Sequence, residues 1–133
     1  MGRVLQMRLV VEAEDYDAAV AFYRDALGLE EEAAFGGEGD ARVMILDAGR
    51  ATLELINPAQ KLLIDEVEVG RPVAPKFRLA FEVTDAAGTT ETLTAAGATV
   101  IAEPTETPWR SLNARLGAPD LQITVFQELE QLD

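Results

Sequence analysis

Apolar and polar residues alternate with a period of two through MRLVVE and again through FRLAFE. A period of two marks a strand whose faces meet different surroundings. In the first segment Met7, Leu9 and Val11 share one face, and Arg8, Val10 and Glu12 share the other. After Asp15, a plausible N-cap, the period lengthens. Ala19, Phe22, Tyr23, Ala26 and Leu27 fall on one helical face, and Gly28 offers a left-handed stop. Strands are then predicted over residues 29–35, 42–47 and 51–56, with turns at residues 36–40 and 48–50.

The chain then repeats this order. MRLVVEAED, from Met7, aligns with FRLAFEVTD, from Phe77, at an offset of 70 residues. The same offset sets LELI (Leu53 onward) beside ITVF (Ile123 onward). The second half reads as a strand from Lys76, a helix capped by Asp85 and stopped at Gly97, and strands over residues 98–102, 110–116 and 121–127. Gly88 weakens the first turn of that helix. Residues 105–108 are expected to form a loop, with Trp109 opening the next strand. Two repeats, residues 1–57 and 76–133, are joined by a linker at 58–75, whose middle, residues 60–69, has the pattern of a short helix. The fold class is therefore α+β. Met7, Leu9, Val11, Phe77, Leu79 and Phe81 would face the helices. The opposite face carries Arg8, Val10, Thr52, Glu54, Arg78, Ala80, Gln122, Thr124 and Phe126. This mixture of charged and apolar groups suits a cleft.

Composition removes several function classes. The net charge is −13, from 24 acids against 11 bases, which would repel nucleic-acid phosphates. No apolar run reaches membrane-spanning length, and the N-terminus lacks a signal-peptide layout, so a cytoplasmic protein without membrane contact is expected. Histidine and cysteine are both absent. That excludes Ser-His-Asp and Cys-His catalysis, disulfides and every His-ligated metal.

The ordered set DYDAAVAFYRDALGL, ATLELINP, RLAFEVTD, AAGATVIAEP and APDLQITVF covers nearly the whole chain. It resembles the vicinal-oxygen-chelate superfamily, which holds glyoxalase I, extradiol dioxygenases, fosfomycin-resistance enzymes and bleomycin-resistance proteins. The resemblance implies two βαβββ modules forming a U-shaped, eight-stranded mixed sheet around a ligand cleft, often completed by a homodimer. It also implies four metal-ligand positions, which here hold Arg8, Arg78, Glu54 and, allowing one missing residue, Thr124. A guanidinium has no acceptor and stays protonated, so neither arginine is a ligand. No metal and no cofactor are expected.

If the cleft forms, Arg8, Glu54 and Arg78 converge in it. Either they form an ion-pair cluster that replaces the metal as a cross-link, or a spare guanidinium grips a ligand carboxylate or phosphate. Thr124, Phe126, Trp109 and Lys76 complete the candidate ligand-binding set, with Phe126 placed to stack on a planar group and Phe35 to cover the mouth. Asn113 and Arg115 share a face that is either solvated or part of the cleft. The leading expectation is a metal-free small-molecule binding protein that sequesters a drug or metabolite. The alternative is a lyase, isomerase or dioxygenase acting on a small carbonyl or aromatic substrate, with Glu54 as catalytic base or metal ligand.

Overall fold

The computed structural model describes residues 3–119 and 121–129. Strand β1 (Gln6–Glu12) leads through an Asp15 cap to α1 (Tyr16–Val20), then β2 (Glu30–Gly36), β3 (Arg42–Asp47) and β4 (Thr52–Ile56). The linker forms α2 (Pro58–Glu68). The pattern then recurs as β5 (Phe77–Glu82), α3 (Ala86–Ala95), β6 (Thr99–Glu106), β7 (Ser111–Ala118) and β8 (Leu121–Glu128). The eight strands form one mixed sheet in the order β2-β3-β4-β1-β5-β8-β7-β6. The two halves meet at the antiparallel β1–β5 pair.

The offset of 70 survives in the register. Leu9 pairs with Leu53 where β1 lies parallel to β4, and Leu79 pairs with Ile123 where β5 lies parallel to β8. Alternation then assigns the faces. Arg8, Val10, Val43, Ile45, Glu54, Arg78, Ala80, Asn113, Arg115, Thr124 and Phe126 share the cleft face. Met44, Leu46, Leu55, Leu116, Ile123 and Val125 lie on the other, packed with the helices.

Several local expectations are corrected. After α1 the chain widens into a π-helical stretch over Ala21–Ala26, closed by the Leu27 amide donating to the Phe22 carbonyl. The wider turn rotates the apolar stripe. Tyr16 and Val20 are buried against Met44, Leu46 and Leu55, while Phe22 and Leu27 are exposed. Gly28 then reverses the chain at φ +88°. On this face α1 sits over β3 and β4 and α3 over β6, β7 and β8, so the central β1–β5 seam is only partly covered: Met7, Leu9 and Phe77 stay exposed. Strand β6 continues into the first half of the expected loop, to Glu106, with Thr107 and Pro108 outside it as expected; Pro104 is tolerated because this is an edge strand and its pairing shifts register nearby. Trp109 lies in the β6–β7 turn rather than opening a strand. Arg110 follows at φ +64°, and β7 begins at Ser111.

Helix α2 is longer than its sequence signal and decides the shape of the cleft. Asn57 caps it by accepting from the Gln60 amide at 2.9 Å, and Pro58 fills the first turn, where no donor is needed. The same Asn57 side chain accepts from the Arg42 amide and donates to the Asp40 carbonyl, tying the helix start to β3. Ile64 is buried with Val10, Val43, Ile45, Ile56, Ala80 and Phe126.

Candidate functional site

A cavity of about 510 Å³ lies on the cleft face of the sheet. Arg8, Glu54, Arg78, Thr124, Phe126 and Trp109 all line it, together with Gln60, Leu63, Ile64 and Glu68 of α2. Phe35 and Trp109 are both exposed and border it from the two arms of the sheet. Lys76, expected on the cationic side, is absent from this lining. It borders a small separate hollow beside Lys61, Ile64 and Asp65, because α2 stands over that end of the sheet.

The two arginines have different surroundings. Arg8 is engaged three ways. Its Nε donates to Gln6 Oε1 at 2.9 Å, its Nη1 lies 3.6 Å from Glu54 Oε1, and its Cζ sits 5.0 Å from the Phe126 ring centroid. A cation over an aromatic face is attracted by the ring quadrupole. Arg78 is 5% exposed and donates from Nη1 to Thr124 Oγ1 at 2.6 Å. Among the described residues no carboxylate reaches ion-pair distance of it. Burial lowers its pKa, as does the nearby Arg115 cation, against the pull of Glu68, Glu54 and Asp65. An arginine keeps its proton regardless, so this is a buried, charged fork with donors to spare.

Beside it lies a polar cluster of which Asn113, Arg115 and Gln122 were expected on this face, and Asp65, Glu68 and Ser111 were not. Arg115 is fully buried. Its Nη1 donates to Asp65 Oδ1 and Gln122 Oε1, and its Nη2 to Glu68 Oε1, each at 2.9 Å. Glu68 Oε2 accepts from Asn113 at 2.8 Å, and Asn113 Oδ1 accepts from the Ser111 hydroxyl at 2.6 Å. Asp65 Oδ2 accepts from the backbone amides of Val73 and Ala74. Burial alone would raise the Asp65 pKa, but those amides and the Arg115 guanidinium override it and hold the carboxyl low. The overlooked signal was the i, i+3 spacing of Asp65 and Glu68, which puts both acids on one helix face.

Two βαβββ modules around a concave cavity define a paired-module fold. The glyoxalase-like domain profile matches residues 8–120, so the chain belongs to that family. An uncharacterised protein of Bacillus halodurans superposes with a TM-score of 0.68 at 15% identity, over 99% of this chain and 98% of that one. Methylmalonyl-CoA epimerase of Mycobacterium tuberculosis gives 0.63 at 20% identity, over 97% and 89%. A glyoxalase/bleomycin-resistance/dioxygenase superfamily member from Vibrio splendidus gives 0.58 at 12%, over 94% and 98%. At these identities the likeness concerns the fold alone. No curated protein sequence matches.

The residues at the superfamily's metal positions do not fit a divalent ion. Arg8 and Arg78 present only donors, Thr124 is a neutral oxygen, and Glu54 is already engaged by Arg8. Among the described residues no group of three or more acids is arranged to hold a metal, and no helix is long and apolar enough to cross a membrane.

Proposed function

We propose that this chain is a metal-free small-molecule binding protein that sequesters an organic ligand, a drug or a metabolite, in the concave cavity. The carrying observation is a cavity of about 510 Å³, within the ordinary range of ligand pockets, whose metal positions hold two arginines. Thermal unfolding against a library of antibiotics and metabolites tests it. A ligand at a hundred times its Kd should stabilise the fold by about 2.7 kcal/mol. A library that shifts nothing counts against sequestration. Stoichiometric zinc, nickel, iron or manganese surviving dialysis would overturn the metal-free part.

An enzymatic reading draws on one contact. Glu54 is a carboxylate inside the cavity with a guanidinium at 3.6 Å, an arrangement suited to removing a proton next to a carbonyl and stabilising the enolate. The similar epimerase fold makes isomerase chemistry the first to assay. Loss of turnover in Glu54→Gln with ligand binding intact would favour it.

A homodimer is proposed as well. Met7 and Leu9 on β1 and Phe77 on β5 form an exposed apolar strip between the helices, beside the half-buried Leu79 and Phe81. Large apolar patches of this kind usually mark association surfaces. Light scattering during gel filtration tests it, with Leu9→Glu as the variant expected to give monomer.

A further inference from the structure

The lining of the cavity is polarised along its length. By register, the cleft-face residues of β5 run from Arg78 through Ala80 to Glu82, and those of β8 from Gln122 through Thr124 and Phe126 to Glu128. The Arg78 end is roofed by α2, whose Ile64 and Glu68 line the cavity there. The far end carries Glu128, exposed, with Glu32 exposed on the opposite arm. Most other lining charges are already matched: Arg8 with Glu54, and Glu68 with Arg115. What remains is one cation inside and two acids at the rim.

The inner cation has a partner suited to an anion. Thr124 is 2% exposed, and its hydroxyl oxygen accepts from Arg78. Its own hydrogen finds no acceptor among the described residues. Arg78 and Thr124 together therefore offer a guanidinium edge and an O–H donor at one buried point. That set matches the two oxygens of a carboxylate. A phosphate dianion is a poorer match, because Glu54 and Glu68 line the same cavity and only one guanidinium is unpaired. Phe126 supplies an apolar surface between that point and Glu128, and Val43, Ile45 and Ile64 supply an apolar wall at the Arg78 end.

We propose that the cavity takes a small organic monocarboxylate head first, its carboxylate on Arg78 and Thr124, its apolar body along Phe126, and its far end, which must not be anionic, toward Glu128. This rests on the cavity being a ligand site, and it adds the ligand's class and direction. Glu128 fits the role. Although its side chain reaches solvent at the rim, the protein packed around its carboxyl raises its pKa; Arg8 opposes this and Glu82 adds to it, so the rim already resists negative charge.

Titration calorimetry on the full chain tests it with aryl and alkyl monocarboxylates, phenylpropanoate among them. Each is compared with its neutral amide and with a dicarboxylate bearing a second acid at the far end. At least one monocarboxylate should bind about tenfold or more tightly than its amide, as charge-assisted hydrogen bonds allow. Its dicarboxylate should bind more weakly, and Glu128→Gln should narrow that gap. Arg78→Met keeps the stem and should abolish the preference for acid over amide while the amide still binds. If that variant fails to fold, Thr124→Val serves, with the acid preference reduced several-fold. Equal binding of acid and amide, or an acid preference that survives Arg78→Met or Thr124→Val, overturns the proposal. Neutral library compounds binding while no carboxylate does refutes the ligand class and leaves the binding reading standing. If no compound of either kind binds, both fall.

Discussion

The two arms of the cleft are built on the same positions with opposite chemistry. At the offset of 70, Val43, Ile45 and Ile56 of the first arm correspond to Asn113, Arg115 and Phe126 of the second. The first set is wholly apolar and the second carries a buried charge. Helix α2 has a side for each. Ile64 packs on Val43, Ile45 and Ile56, while Asp65 and Glu68 pair with Arg115. Two modules of one topology thus differ in how they hold the helix that links them. Apolar contact on one side tolerates small shifts, whereas a charged network on the other fixes position, because each buried charge must meet a partner.

The largest effect should come from the charged arm. Arg115→Met strands two buried carboxylates and should cost about 3–5 kcal/mol in urea unfolding. Replacing Arg115, Asp65 and Glu68 together by apolar residues of similar volume should recover most of that loss. If the single substitution is nearly neutral, the network does not hold α2. On the apolar arm, Ile64→Ala leaves a cavity and should cost about 2–4 kcal/mol. If it costs more than Arg115→Met, the ranking of the arms reverses.

The symmetric part of this architecture was readable from the sequence, and the asymmetric part was not. Two matching nonapeptides and their alternation predicted both central strands and their faces, and the family resemblance implied the meeting of Arg8, Glu54, Arg78 and Thr124 at one cavity. Each was a local pattern repeated. The role of α2 was hidden because its partners lie far along the chain: Asp65 is separated from Arg115 by 50 residues. The π-helical turn after α1 was hidden as well, since a 3.6-residue stripe places Phe22 and Leu27 inward and one extra residue per turn turns them out. Lys76 shares parity with Arg78, yet α2 covers its end of the sheet, and parity says nothing about a cover.

Acid should act on the same arm. The folded Asp65 pKa lies below the unfolded value of about 3.9. Its contribution is therefore complete at neutral pH and is lost as pH falls through the folded pKa. Stability measured from pH about 5 downward should decline in wild type and decline less steeply in Asp65→Asn. Glu128 has the opposite sign. Its pKa is raised, so its charge weighs on the fold at neutral pH and its protonation offsets part of the acid loss; Glu128→Gln removes that offset and should steepen the acid limb slightly.

The smallest effect separates the two arginines at equivalent positions. Arg8 and Glu54 are 3.6 Å apart with side chains 17% and 13% exposed, so water still screens them. A double-mutant cycle with Arg8→Gln and Glu54→Gln should give a coupling of about 1 kcal/mol, between exposed and buried pairs. Salt should reduce it only partly. Arg78 at the matching position has Thr124 where Arg8 has Glu54, so added chloride, formate or acetate should protect Arg78 against unfolding without a comparable effect on the Arg8 pair. A coupling near zero at Arg8 would mean that both guanidiniums are equally unpaired. The distinction between a closed first half and a receptive second half would then be lost.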